Sequence, residues 1–141
     1  MLSKNFLHVE TTNRCTLKCP ACPRTVWQNL IKQPIPKADL NLDDFQRFLE
    51  CESMEKIESF VLCGDYGDTI YYPHLFDMIK MFREKSFKIA TNGSYKTKEW
   101  WTELNSLLTD KDIVVFGIDG LGEENRKYRV NANWKSIETV S

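Results

Sequence analysis

Along this chain a short apolar run repeatedly stops at a polar or glycine-bearing turn and gives way to residues with helical apolar spacing. The runs occupy residues 6–9, 57–63, 87–91 and 113–118. The helical segments place Leu42, Phe45, Phe48 and Leu49 on one face behind an Asn41 cap, and Leu75, Met78, Ile79 and Phe82 on another behind Pro73. Residues 97–108 bury Trp100, Trp101, Leu104, Leu107 and Leu108 in the same way, and a fourth helix with Trp134, Ile137 and Val140 begins near Asn133. Residues 23–41, interrupted by Pro23, Pro34 and Pro36, read as an irregular excursion with one helical turn near Trp27. Strand and helix alternating four times predict an α/β fold with a parallel sheet. Right-handed crossovers bring the C-terminal ends of such strands to one edge, where ligands bind. Residues 10–22, 64–68, 91–93 and 117–120 hold the unusual motifs, and each group follows a strand.

The bulk properties narrow the class. With 141 residues the chain suffices for one domain, and its 42% hydrophobic and 28% charged residues are ordinary for a globular protein. A net charge of −1 carries no electrostatic footprint for nucleic acid. Apolar stretches are short and broken by charges, so no membrane partner is expected, and the first six residues lack the apolar region of a secretion signal. A cytoplasmic location follows. Five cysteines are an odd number, and Cys15, Cys19 and Cys22 fall within eight residues, which points to metal rather than to a disulfide framework.

Cys15-x3-Cys19-x2-Cys22 can wrap one face of an iron–sulfur cluster if the backbone loops around it. Three ligands for four irons leave one iron open to a substrate or cofactor. Structural zinc is the main alternative, but it wants four ligands, usually in paired sets, and no second pair is present. His8, Cys51 and Cys63 lack the spacing of a fourth ligand. Cys51 reads as a core residue on a helix, His8 as a packed histidine, and Cys63 as a residue at the end of its strand that faces the site.

The cysteine run, placed directly after a first strand, resembles the cluster loop of the radical S-adenosylmethionine (SAM) superfamily. The resemblance extends to Gly67-Asp68-Thr69-Ile70-Tyr71-Tyr72-Pro73, similar to that family's Gly-Glu-Pro-Leu-Leu-x-Pro element with Asp68 in the Glu position. Thr91-Asn92-Gly93 resembles another recurring element, and Gly117-Ile118-Asp119-Gly120 resembles the Ser-x-Asp-Gly that ends strand four. Arg129 follows where relatives hold an arginine against the SAM carboxylate. Taken singly, these residues also fit plainer roles: a Gly-rich turn with solvated Asp65 and Asp68, a turn capped by Asp119, a solvated Arg129.

The resemblance implies a partial (β/α) barrel, four strand–helix units of a six-unit core, with residues 1–141 as a core domain truncated at its C-terminus. It places a SPASM- or twitch-like branch within view and predicts an apolar flank beside strand four. It implies a 4Fe–4S cluster on Cys15, Cys19 and Cys22, and SAM bound by Gly67, Asp68, Asn92, Gly117, Asp119 and Arg129. The implied activity is generation of a 5′-deoxyadenosyl radical that abstracts hydrogen from a small-molecule or peptide substrate, with an electron donor such as flavodoxin or ferredoxin. Two residues depart from the family pattern: Ala21 stands where an aromatic often precedes the third cysteine, and Gly117 replaces a serine. The alternative is a non-catalytic iron–sulfur or zinc-binding module or remnant.

Overall fold

A computed structural model describes residues 5–140. Its elements run β1 (Phe6–His8), α1 (Pro23–Ile31), α2 (Leu42–Leu49), β2 (Ser59–Leu62), α3 (Leu75–Met81), β3 (Ser86–Thr91), α4 (Lys98–Leu107), β4 (Ile113–Phe116), α5 (Glu123–Tyr128) and α6 (Trp134–Val140), with 3-10 turns at Glu52–Met54 and Thr69–Tyr71. The strands form one parallel sheet in the sequential order β1-β2-β3-β4. This is the α/β arrangement with a parallel sheet that the strand–helix alternation predicts, and it matches the partial barrel that the resemblance implies. Among the described residues, no helix is long and apolar enough to cross a membrane.

Side-chain alternation assigns the two faces of the sheet. Phe87 and Ile89 of β3 are buried, whereas Lys88 and Ala90 between them are partly exposed. Phe60 and Leu62 of β2 join Phe87 and Ile89 in a core completed by Phe45 of α2, Leu75, Met78 and Ile79 of α3, and Leu104 of α4. Phe60 is its centre, meeting Phe45 and Phe82 edge-on at 5.5 Å and Phe87 at 5.6 Å. Trp100 stacks on Phe76 at 5.2 Å and Trp101 lies 5.4 Å from Phe116, which wedges α4 against the sheet. Ile113 and Val115 of β4 are exposed on the face they share with Lys88 and Ala90, opposite the core.

Caps explain where the helices start. Asn41 accepts from Asp44 N at 3.0 Å with two acidic residues in the first turn of α2, and Thr97 accepts from Trp100 N at 3.3 Å in α4. Residues 23–31 correct the expectation of an irregular segment. Pro23 takes the first helical position, where its fixed φ suits a helix start, and α1 continues until Lys32 turns left-handed at φ 52° ahead of Pro34. Helix α5 was not foreseen either; its six residues follow Gly122, which adopts φ 56°.

Phe60→Ala is expected to cost about 3–5 kcal/mol in urea unfolding, because it empties the centre of the aromatic core. Phe48→Ala, at a side chain 46% exposed, should cost less than about 1 kcal/mol. Equal losses would contradict this placement of the core.

Candidate functional site

The loops leaving all four strands meet in one cavity of about 280 Å³, lined by Cys15, Cys19 and Cys22, by Gly67 and Asp68, by Asn92, and by Gly117 and Arg129. A larger groove of about 380 Å³ lies against Trp101, Leu104, Phe116 and Val140, and no cysteine, histidine or carboxylate lines it. The chemistry is therefore concentrated at the C-terminal edge of the sheet.

The cysteine loop is strapped from outside before its thiols turn inward. Thr12 Oγ1 donates to Asp39 at 2.7 Å, Arg14 pairs with the same carboxylate at 2.5 Å, and Leu40 N donates to Thr11 O at 2.8 Å. Arg24 donates to Asn13 O at 3.2 Å and to Leu17 O at 3.4 Å, holding the loop's curve across its chord. Lys18 N reaches Val130 O at 3.0 Å. Tyr71 clips the loop to its neighbour, with its hydroxyl 3.2 Å from Thr16 Oγ1 and donating to Ser94 O at 2.6 Å.

Gly67 is required by proximity. A Cβ built there would lie 1.8 Å from Thr12 O, and Asp68 N donates to Arg14 O at 2.8 Å, so the loop after β2 rests directly on cysteine-loop backbone. Asp68 itself is buried, in contrast to the solvated alternative. One oxygen accepts from Ile70 N at 3.2 Å; the other accepts from Thr91 Oγ1 at 3.1 Å, Asn92 N at 2.7 Å and Asn92 Nδ2. Burial pushes its carboxyl pKa up against these hydrogen bonds, which pull it down.

Asn92 carries the connection to the cysteines. Its Nδ2 lies 3.7 Å from Cys15 Sγ, while its Oδ1 accepts from Ser94 N at 2.9 Å. Gly93 follows at φ 71°, with its Cβ position 2.8 Å from the Phe116 ring, so both backbone and space call for glycine. On the far side, Arg129 Nη2 lies 2.9 Å from a Cβ built on Gly117. The absent side chain at residue 117 leaves room for the guanidinium. Arg129 Nε donates to Asp119, whose own N–H is accepted by Asn125 Oδ1 at 2.9 Å. Asp119 thus stands behind Arg129 rather than in the cavity lining.

Burial pushes the Cys15 thiol up to about 11, opposed by the Leu17 N–H at 3.4 Å. Cys19 is also raised by burial, with the Arg129 charge working the other way. Cys22 Sγ donates to Asp65 O at 3.6 Å. Among the described residues, no three His, Cys, Asp or Glu side chains converge on a single metal ion.

Cys63 lines the cavity, as its place at the strand end suggested. Cys51 is exposed rather than core, because α2 stops at Leu49 and leaves Cys51 in the following turn. His8 is exposed rather than packed; its parity is opposite to Leu7, and its ring donates to Cys63 O. The straps Arg14–Asp39, Arg24 and Tyr71–Ser94 were not anticipated. Asp39 is the first carboxylate after Glu10 in a segment bearing five cations, which is the one local signal for its pairing.

No protein-family model matches the chain. Over 118 residues it is 28% identical to a tungsten-containing aldehyde ferredoxin oxidoreductase cofactor-modifying protein of Pyrococcus furiosus, an alignment covering 82% of this chain and 31% of that protein. The chain thus spans about a third of the length of this curated relative. Its fold is similar to that of BtrN, solved in complex with AdoMet and 2-DOIA, with a TM-score of 0.61 over 97% of this chain and 55% of the other. Sequence identity to BtrN is 18%, so this likeness is one of fold.

Gly67→Ala should destabilise the protein by about 3 kcal/mol in denaturant unfolding, since backbone must move to admit the methyl group. Gly122→Ala, with nothing within 4 Å of its Cβ, should cost about 1–3 kcal/mol through backbone strain at φ 56° and ψ −127° alone. A silent Gly67→Ala would mean that the two loops do not touch.

Proposed function

We propose that this chain is part of the catalytic core of a radical SAM enzyme, with Cys15, Cys19 and Cys22 ligating a 4Fe–4S cluster. The observation that carries this reading is the convergence of the three cysteines with Asn92, Gly117 and Arg129 on one cavity at the C-terminal ends of four parallel strands. The similarity to a cofactor-modifying protein and to the fold of an AdoMet-bound structure supports it.

The donor set fits the group. Three thiols line the cavity walls instead of converging on a point, which suits a cluster better than a single zinc. N–H donors from Leu17 and Asn92 approach Cys15 sulfur, and the Arg129 cation lies near Cys19. Such contacts stabilise coordinated thiolates and tune a cluster. Thiols whose pKa burial has raised would release their protons to solvent on binding the metal, whose positive charge replaces the missing solvation.

When bound, the cluster and SAM supply reductive cleavage to a 5′-deoxyadenosyl radical that takes hydrogen from a substrate. The chain's own residues place and enclose that chemistry. Arg129, anchored through Nε by Asp119, reaches past Gly117 toward Cys19, where its guanidinium would meet the SAM carboxylate. Asp68 holds Asn92 in position, and its carboxylate would attract the SAM ammonium. Gly67 lets the loop after β2 rest on Thr12 backbone, Gly117 lets the Arg129 guanidinium lie over it, and Leu17 and Cys19, both buried, limit the entry of water behind the loop.

Anaerobic reconstitution should load about four irons and four sulfides per chain. Cys15→Ala, Cys19→Ala and Cys22→Ala should each abolish loading, while Cys51→Ala, at an exposed turn, should not. Arg129→Ala should weaken SAM binding roughly ten- to a hundredfold with iron content unchanged. One zinc per chain and no sulfide would overturn the proposal.

A further inference from the structure

Between Glu10 and Asp39 the chain carries Arg14, Lys18, Arg24, Lys32 and Lys37 and no carboxylate, within a protein whose net charge is −1. The fold gathers all five on one side of the cysteine loop. One groove of about 350 Å³ is lined by Lys18, Arg24 and Lys32, and an adjoining groove of about 440 Å³ by Arg14, Arg24 and Lys37. Both reach Cys15, and no acidic residue lines either. Arg14 is paired with Asp39 and Arg24 is spent on loop carbonyls. Lys18, Lys32 and Lys37 are exposed and form no ion pair among the described residues.

Helix α1 borders these grooves with two different stripes. Arg24, Gln28 and Lys32 recur at i, i+4, i+8 on the groove side. Val26, Trp27, Leu30 and Ile31 form a neighbouring apolar stripe, 42%, 52%, 70% and 38% exposed, and the helix buries no residue. An apolar patch rimmed by unpaired cations marks an interaction surface whose partner is acidic. Cys15 gives that surface its chemistry, because the same residue lines the inner cavity on its other side.

We propose that this face docks an acidic one-electron carrier protein, and that the electron enters the cluster on the Cys15 side. The inference rests on the cluster reading above. One electron leaves the reduced carrier, which is oxidised by one equivalent, and reduces the cluster from the 2+ to the 1+ state; no atom or proton is transferred.

The test uses reduced flavodoxin, an acidic flavoprotein, as the probe for reconstituted protein. Stopped-flow cluster reduction should slow about tenfold or more between roughly 0.05 M and 0.5 M salt. The Lys18→Glu/Lys32→Glu/Lys37→Glu variant should lose at least about tenfold in rate and in flavodoxin affinity by sedimentation. Its iron content and its reduction by dithionite should match the parent protein. Leu30→Ser, which alters the apolar stripe without charge, should weaken binding at every salt concentration. Salt-independent reduction, or a charge-reversed variant that is reduced and binds normally, would overturn the proposal. So would a face that binds anionic lipid vesicles but not flavodoxin. Failure of the cluster reading is separate, since it shows in the iron and sulfide count, whereas flavodoxin sedimentation is measured with or without the cluster.

Discussion

Asp68 sits between the loops that leave β2 and β3, with Ile70 N–H on one oxygen and Thr91 Oγ1, Asn92 N and Asn92 Nδ2 on the other. A carboxylate removed from water is tolerated only where protein donors replace the lost hydration. Three of its four donors come from the second loop, so the loops cannot part without orphaning a buried charge. The coupling passes onward through Asn92 Nδ2 to Cys15 Sγ and through Asp68 N–H to Arg14 O. Three of the four strand ends are therefore spaced by one residue. The fourth is joined by Arg129, which lies over Gly117 and faces Cys19.

This arrangement explains why small residues occur where they do. Gly67 admits Thr12 backbone, Gly93 admits the Phe116 ring, and Gly117 admits the Arg129 guanidinium. Each is a close approach that draws a loop toward the cavity. The phenylalanine core below supplies the rigid platform, while Tyr71 ties the cysteine loop to Ser94 and Arg24 braces the loop's own carbonyls. Cys15 consequently has two environments: an inner one shared with Asn92 and Asp68, and an outer one opening onto cationic grooves. A cluster held there would meet its cofactor on one side and its reductant on the other.

Much of this was legible along the chain. The alternation at Phe87, Lys88, Ile89 and Ala90 marked a strand with one apolar face, and the helical spacing of Leu75, Met78 and Ile79 marked its crossover helix. The positions of Cys15, Asp68, Asn92 and Gly117 after successive strands followed from parallel topology alone. Helix α1 escaped because it buries nothing, so the apolar spacing had no core to report, and Pro23 acts there as a start rather than a break. The burial of Asp68 escaped for another reason. Its neighbours Gly67 and Thr69 read as a polar turn, and the groups that enclose it, Thr91 and Asn92, arrive more than twenty residues later. The strap of Arg14 to Asp39 is likewise a long-range match, signalled along the chain only by Asp39 being the first carboxylate after a run of five cations.

A cluster held by Cys15, Cys19 and Cys22 would keep one iron unligated by protein, in the cavity that Arg129 and Asp68 line. Mössbauer spectroscopy of protein reconstituted anaerobically with iron-57 reads that asymmetry directly. The predicted result is that adding SAM shifts the signal of one iron in four, while the other three stay as they were. Four irons that respond alike, or a spectrum unchanged by SAM in protein whose cluster is intact, would contradict it.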